Sequence, residues 1–240
     1  MTRTVVVTGG GTGIGRAVAA CFAHHGDAVV ITGRRGETLR SVAAELGQGV
    51  RASVCDGTDP DQVAEFAGGL ESVDVLVNCA GGNTDWDRPE PADLRALAAS
   101  WRANLEANLT TAVLMTEALR DRLAPGGTVV NIGSIAADKG AGSYGASKAA
   151  LNSWNVELAG RLGPRGVTAN VVSPGYIADT EFFRDRLSEQ REKALVAATS
   201  TGRAGTPADV AGTIEFLASG AARHITGQVI AVNGGALTTR

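Results

Sequence analysis

The chain has 240 residues, 44% of them hydrophobic and 20% charged, with a formal net charge of −3. That balance excludes a disordered charged chain, and the lack of any block of like charges argues against nucleic acid as a partner. No apolar run reaches the roughly 18 residues of a membrane helix, and MTRTVVVTGGG is too short an apolar stretch for a signal peptide, so a soluble cytoplasmic protein with no membrane partner is expected.

Short β-branched runs alternate with amphipathic segments along the chain. TVVVT at 4–8 reads as the first buried strand. Behind it, Ile14, Ala17, Val18, Cys21 and Phe22 follow i, i+3, i+4, i+7, i+8 spacing, the apolar stripe of a helix lying on a sheet. Further strands are expected at AVVIT 28–32, VRASV 50–54 (the weakest), DVLVN 74–78, TVVNI 128–132, VTANVVS 167–173 and QVIAV 228–232. Their continuous apolar character suits a parallel sheet covered on both faces. Repeated βα units imply right-handed crossovers and an α/β fold, a Rossmann-type doubly wound parallel sheet of about seven strands. No linker, repeat or low-complexity tract divides 1–240, so a single domain is expected, with a substrate lid near 179–200. Cys21, Cys55 and Cys79 lack CxxC spacing and paired histidines, which predicts free thiols in a reducing compartment and no metal site.

TGGGTGIG at 8–15 lies between the first strand and the first helix. Gly9, Gly13 and Gly15, with Thr12 and Ile14 between them, fit a GxxxGxG spacing. Missing Cβ atoms let backbone N–H groups and the helix N-terminus approach a pyrophosphate. No GK[ST] follows, which excludes a P-loop. The second strand ends in Gly33, Arg34 and Arg35, where a ribose-binding carboxylate would otherwise stand. A guanidinium suits a 2′-phosphate, so NADP(H) is favoured over NAD(H).

In SYGASK at 143–148, Tyr144 and Lys148 stand one helical turn apart and share a face. A free tyrosine holds its proton too tightly to exchange readily near neutral pH. A neighbouring ammonium favours the phenolate, so Lys148 is expected to lower the Tyr144 pKa and make it a usable general acid and base. Ser134, ending TVVNIGS, is placed to donate to a substrate oxygen where negative charge develops.

Taken in order, TGGGTGIG, NCAG at 78–81, Ser134, YGASK at 144–148 and SPG at 173–175 resemble the short-chain dehydrogenases/reductases. The likeness spans essentially the whole chain, to ITGQVIAVNGG at 225–235, and is greatest toward 3-oxoacyl-(acyl carrier protein) reductases and related small ketoreductases. The resemblance implies NADPH-dependent reduction of a 3-oxoacyl or related ketone, or the reverse oxidation of a secondary alcohol. It gives Lys148 a hydrogen bond to the nicotinamide ribose and makes Asn108 the helix asparagine that anchors a water, with Asn104 one turn earlier. It matches Asp56 to an adenine contact, against the alternative of a turn cap. Asn78, Ala80 and Gly81 end the fourth strand at the ligand edge of the sheet. Pro174, Gly175 and Ile177 match the loop flanking the nicotinamide, while Thr180 falls one residue later than the family pattern. Ser134 and Tyr144 stand ten residues apart, closer than the family pattern, so the pocket wall between them must be short.

Trp86, Phe182 and Phe183 are apolar groups in polar stretches that could close over an acyl chain or ring. Arg184 and Arg186 leave an acyl carrier protein open as a partner beside a small carbonyl or acyl thioester substrate. In the helix after Tyr144, Ala149, Ala150, Ser153, Trp154 and Glu157 form a face for close packing. With the helix around 104–122, that face predicts a homodimer or homotetramer. A non-catalytic NADP(H)-binding sensor or scaffold on the same fold is the alternative. An epimerase or dehydratase of the extended relatives would need more chain for its substrate domain.

Overall fold

The structure, a computed structural model, describes residues 2–184 and 186–238. Seven parallel strands form one sheet in the order β3-β2-β1-β4-β5-β6-β7. They are β1 (Thr4–Thr8), β2 (Ala28–Gly33), β3 (Val50–Val54), β4 (Val73–Asn78), β5 (Leu123–Ile132), β6 (Thr168–Pro174) and β7 (Val229–Val232). All seven expected strands are present, the weak third included. The order reverses direction at β1, from which the chain winds outward to β3 on one side and, from β4, to β7 on the other.

Period-two alternation sends successive side chains to opposite faces and builds two cores. Val5 and Val7 of β1, Val75 and Val77 of β4, and Val130 of β5 face the first core. Helices α1 (Gly13–His24), α2 (Gly36–Leu46) and α9 (Pro207–Leu217) close it with Val18, Phe22, Leu39 and Ile214. Val6, Leu76 and Val129 face the second core, covered by α3 (Pro60–Gly68), α5 (Thr111–Leu119) and α7 (Gly142–Leu162) through Phe66, Met115 and Leu158. The remaining helices are α4 (Leu94–Leu105), the short α6 (Ala136–Lys139) and α8 (Glu189–Ala197).

Two elements differ from the sequence expectation. Strand β5 begins at Leu123, not 128, because LAPGG runs extended before the pairing with β6 starts at Thr128. A proline and two glycines disguise that extension. The helix expected around 104–122 begins at Leu94, and Glu106–Thr110 is a π-helical turn between α4 and α5. Wide turns of this kind commonly sit at functional sites. Here the turn carries Asn108 inward, fully enclosed.

A chain of amides ties β4, β5 and α7 together inside the second core. Asn78 donates to Asn131 Oδ1 at 2.9 Å and to Thr116 Oγ1 at 2.9 Å. Asn131 donates to Asn155 Oδ1 at 3.1 Å, and Asn155 to the Ala169 carbonyl at 3.2 Å. Cys55 is buried and Cys21 and Cys79 are half-buried, all free thiols. Cys21 is not isolated in the fold, since it clusters with His25 and Glu215: Cys21 Sγ is 3.5 Å from Glu215 Oε2, and His25 Nδ1 is 3.3 Å from Glu215 Oε1. Burial first, then Glu215, pushes the Cys21 thiol up to about 11, which keeps it protonated. No helix among the described residues is long and apolar enough to cross a membrane.

Candidate active site

A cleft of about 1230 Å³ opens along the carboxyl edge of the sheet. It is lined by Gly9, Thr12, Gly13, Ile14, Gly15, Arg34, Arg35, Asp56, Ala80, Gly81, Ser134, Tyr144, Lys148, Pro174, Gly175, Ile177 and Thr180. Residues from six separate βα junctions thus converge on one place. Asn78 is not among them, since its side chain is committed inside the sheet to Asn131 and Thr116.

At one end of the cleft, α1 starts without a side-chain cap from Thr12 and without an acidic residue in its first turn. Its free N–H groups and positive dipole end therefore suit an anion. Gly15 allows this tight turn, because a Cβ there would lie 2.3 Å from the Gly9 carbonyl oxygen. Arg34 and Arg35 stand beside that helix end, the charge pattern a 2′-phosphate and a pyrophosphate require. The donor set therefore fits an NADP(H)-type dinucleotide. Asp56 accepts from the Thr58 amide at 3.0 Å and the Thr58 hydroxyl at 2.8 Å, so it caps the turn after β3 while lining the cleft.

Tyr144 and Lys148 lie one turn apart on α7, both buried. Lys148 Nζ donates to the Ile132 carbonyl at 2.7 Å and lies 6.0 Å from the centre of the Tyr144 ring. Burial pushes the phenol up to about 12, against a hydrogen bond from Ser134 that lowers it. Burial also pulls the lysine down to about 8. The expected lowering of the tyrosine pKa by the lysine is corrected here. Both groups have lost water, and desolvation is the larger effect on each. Tyr144 is therefore a firmly protonated donor, and Lys148 is poised near neutrality.

That lysine shift has a stability consequence in the cofactor-free protein. An unfolded lysine titrates at about 10.4. The buried ammonium is thus a penalty carried below pH 8, relieved as pH rises toward the unfolded value. Urea unfolding at about pH 7 and about pH 10 is expected to show wild type gaining on Lys148→Met by at most about 3 kcal/mol. A difference that stays constant with pH would contradict the shift.

Gly133 N donates to the Val172 carbonyl at 2.7 Å and Ile135 N to the Pro174 carbonyl at 3.0 Å, which fixes Ser134 between two bonds to β6. The short connection to Tyr144 is then a single turn, α6, whose Ala136 amide donates to Ser134 Oγ at 3.1 Å. It packs so closely on α7 that a Cβ at Gly145 would lie 2.6 Å from the Ala136 carbonyl oxygen.

Asn108 does not line the cleft. Its Oδ1 accepts from Gly82 N at 3.0 Å, and its Nδ2 donates to the carbonyls of Gly82 and Asn104, each at 2.9 Å. The neighbouring Asn104 accepts from Thr84 N at 3.0 Å and donates to Ser143 Oγ at 2.8 Å. Ser143 in turn donates to Asp85 Oδ2 at 2.9 Å, and Ser100 Oγ also bonds Asp85. This network fixes the loop after β4 against the N-terminus of α7, next to Tyr144. Asp85 carries no signal in the sequence, because its contact with Ser143 joins residues 58 apart with no motif of their own.

The three aromatic residues singled out as substrate candidates do come together. Trp86 meets Phe182 at 4.9 Å and Phe183 at 5.3 Å between ring centres, and Phe182 lies 5.6 Å from the Tyr144 ring. Tyr176 extends the cluster against Phe183 at 5.7 Å. Two ion pairs hold the segment that carries the phenylalanines, Arg184 with Asp87 and Arg35 with Glu181. Asp179 and Arg184 bracket it in left-handed conformations, φ 55° and 45°, which cost an ordinary side chain about 1–3 kcal/mol each.

The family model described as Enoyl-(Acyl carrier protein) reductase matches residues 9–237. The 3-oxoacyl-[acyl-carrier-protein] reductase FabG of Rickettsia prowazekii is 33% identical, over 98% of this chain and 97% of its own. A short-chain dehydrogenase/reductase from Brucella melitensis superimposes with a TM-score of 0.89 at 30% identity, over 99% of this chain and 97% of the other. A blue fluorescent protein from a metagenomic library, solved in complex with NADPH, gives 0.85 at 32% identity, over 98% of each chain. With the glycine turn, the sheet order and the Ser134–Tyr144–Lys148 wall already in place, the chain belongs to the short-chain dehydrogenase/reductase family of oxidoreductases, on the side of the ketoreductases.

Proposed function

We propose that the protein is an NADP(H)-dependent carbonyl reductase, equally a secondary-alcohol dehydrogenase, acting on a 3-oxoacyl or related ketone. The observation that carries this reading is the buried Tyr144, which shares the wall of one cleft with Ser134, Lys148 and the uncapped start of α1. When bound, the reduced nicotinamide supplies the hydride for the carbonyl carbon. Ser134 donates a hydrogen bond to the carbonyl oxygen, and Tyr144 delivers its proton to that oxygen as the alcohol forms. Lys148 holds the ribose, and its ammonium favours the phenolate left behind. Asn108 stands behind this set and holds the loop at Gly82 in place through its side-chain amide. The chain acts as one domain, with 179–200 closing over the substrate.

The likeness to the Rickettsia 3-oxoacyl-[acyl-carrier-protein] reductase and to the NADPH complex supports the ketone class and the cofactor. Arg34 and Arg35 support the phosphorylated form. Trp86, Phe182 and Phe183 form the apolar substrate wall, and an acyl carrier protein is a candidate carrier of the 3-oxoacyl thioester, whose thioester bond the reaction leaves intact. The test is NADPH absorbance decay across acetoacetyl thioesters and cyclic ketones. Turnover on at least one is expected. Tight NADPH binding with no turnover on any carbonyl would favour a dinucleotide sensor instead.

The second part of the proposal is a homodimer or homotetramer. Helix α4 packs along α7, and Leu94, Leu97, Trp101 and Val156 on these two helices are exposed, as are Ala149 and Ser153. Trp154, expected on that face, instead packs on the second core. Light scattering at micromolar concentration is expected to give at least twice the chain mass, and a monomer would count against it.

A further inference from the structure

Arg35 is already engaged by an anion of the protein itself. Its Nη2 donates to Glu181 Oε2 at 2.8 Å and reaches Thr12 Oγ1, at the start of α1, at 3.4 Å. Glu181 comes from the segment after β6, 146 residues away in sequence. Arg34 has no side-chain hydrogen bond or ion pair among the described residues. We infer that Glu181 is a specificity-determining residue, which holds down the affinity for the phosphorylated dinucleotide by competing with the 2′-phosphate for Arg35. The inference rests on the proposal that Arg35 faces that phosphate.

The physical argument has three parts. Glu181 takes a donor of Arg35 Nη2, so a 2′-phosphate that binds through the same nitrogen has to displace it. Both side chains of the pair are about 60% exposed (59% and 60%), so the bond is weak enough to exchange. A carboxylate left beside a phosphate also repels it. NADH brings only a neutral 2′-hydroxyl, so its binding leaves the Arg35–Glu181 pair intact.

The experiment is a set of binding titrations, read by fluorescence without turnover, on wild type, Glu181→Gln, Arg35→Ala and the double variant. The ligands are NADPH and NADH, with adenosine 2′,5′-bisphosphate and 5′-AMP as competitors lacking the nicotinamide. Glu181→Gln is expected to tighten NADPH and the bisphosphate by about twofold to fivefold, the scale of an exposed ion pair. NADH and 5′-AMP should hold steady, and the gain should vanish on the Arg35→Ala background. If Arg35→Ala weakens NADPH selectively while Glu181→Gln changes nothing or changes both dinucleotides equally, the Arg35 reading stands and the role of Glu181 is overturned. If Arg35→Ala leaves the NADPH to NADH ratio unchanged, both fall.

Discussion

Replacing Tyr144 with Phe is expected to lower kcat on any ketone the wild type reduces by about 10²–10⁴-fold, the usual contribution of a positioned general acid. NADPH affinity should change little, because the variant keeps the ring and loses one hydroxyl. The hydroxyl is the group that burial pushes to a higher pKa, so it carries its proton at neutral pH. Its loss removes the proton source at the carbonyl oxygen and leaves the cleft, the glycine turn and Lys148 in place. The measurement is steady-state NADPH oxidation beside a binding titration. Robust turnover surviving in Tyr144→Phe would remove Tyr144 from the mechanism.

Gly15→Ala is the second large effect, and it acts through backbone. The added Cβ would lie 2.3 Å from the Gly9 carbonyl oxygen and 2.8 Å from its carbon. No flexible side chain can yield there, so the turn or the start of α1 must move. Overpacking of this kind costs about 1–3 kcal/mol. In a chain of this size that lowers Tm by about 2–12 °C. If, as proposed, the same turn presents the helix N-terminus to the pyrophosphate, the dinucleotide Kd is expected to rise by about tenfold or more, equivalent to about 1.4 kcal/mol. Thermal unfolding and NADPH titration check both, and a variant with wild-type Tm and Kd would show that the turn tolerates the contact.

The fold was legible because its signals are local. β-branched runs mark the strands, and the stripe of Ile14, Val18 and Phe22 marks the first crossover helix. The shared face of Tyr144 and Lys148 was legible for the same reason, since the two residues are one helical turn apart, and both line the cleft. What the sequence hid are contacts between distant segments. Asp85 with Ser143, Arg35 with Glu181, and Asn131 between Asn78 and Asn155 each join residues that carry no pattern individually. The tyrosine pKa was misjudged for a related reason. Proximity to Lys148 can be counted along a helix, whereas loss of water depends on everything packed around both groups.

The anchoring of Ser134 explains how so short a connection is tolerated. Its neighbours Gly133 and Ile135 are bonded to β6, and Ala136 sits against Gly145 on α7. The hydroxyl's position is therefore set before the chain reaches residues 138–142, which are exposed at their end and only join one fixed point to another. Length at that junction is decoupled from catalytic geometry. On the proposed mechanism, trimming or lengthening it would reshape the room given to the substrate and leave Ser134, Tyr144 and Lys148 where they are, so one reaction would be retained while the range of ketones it serves is redrawn.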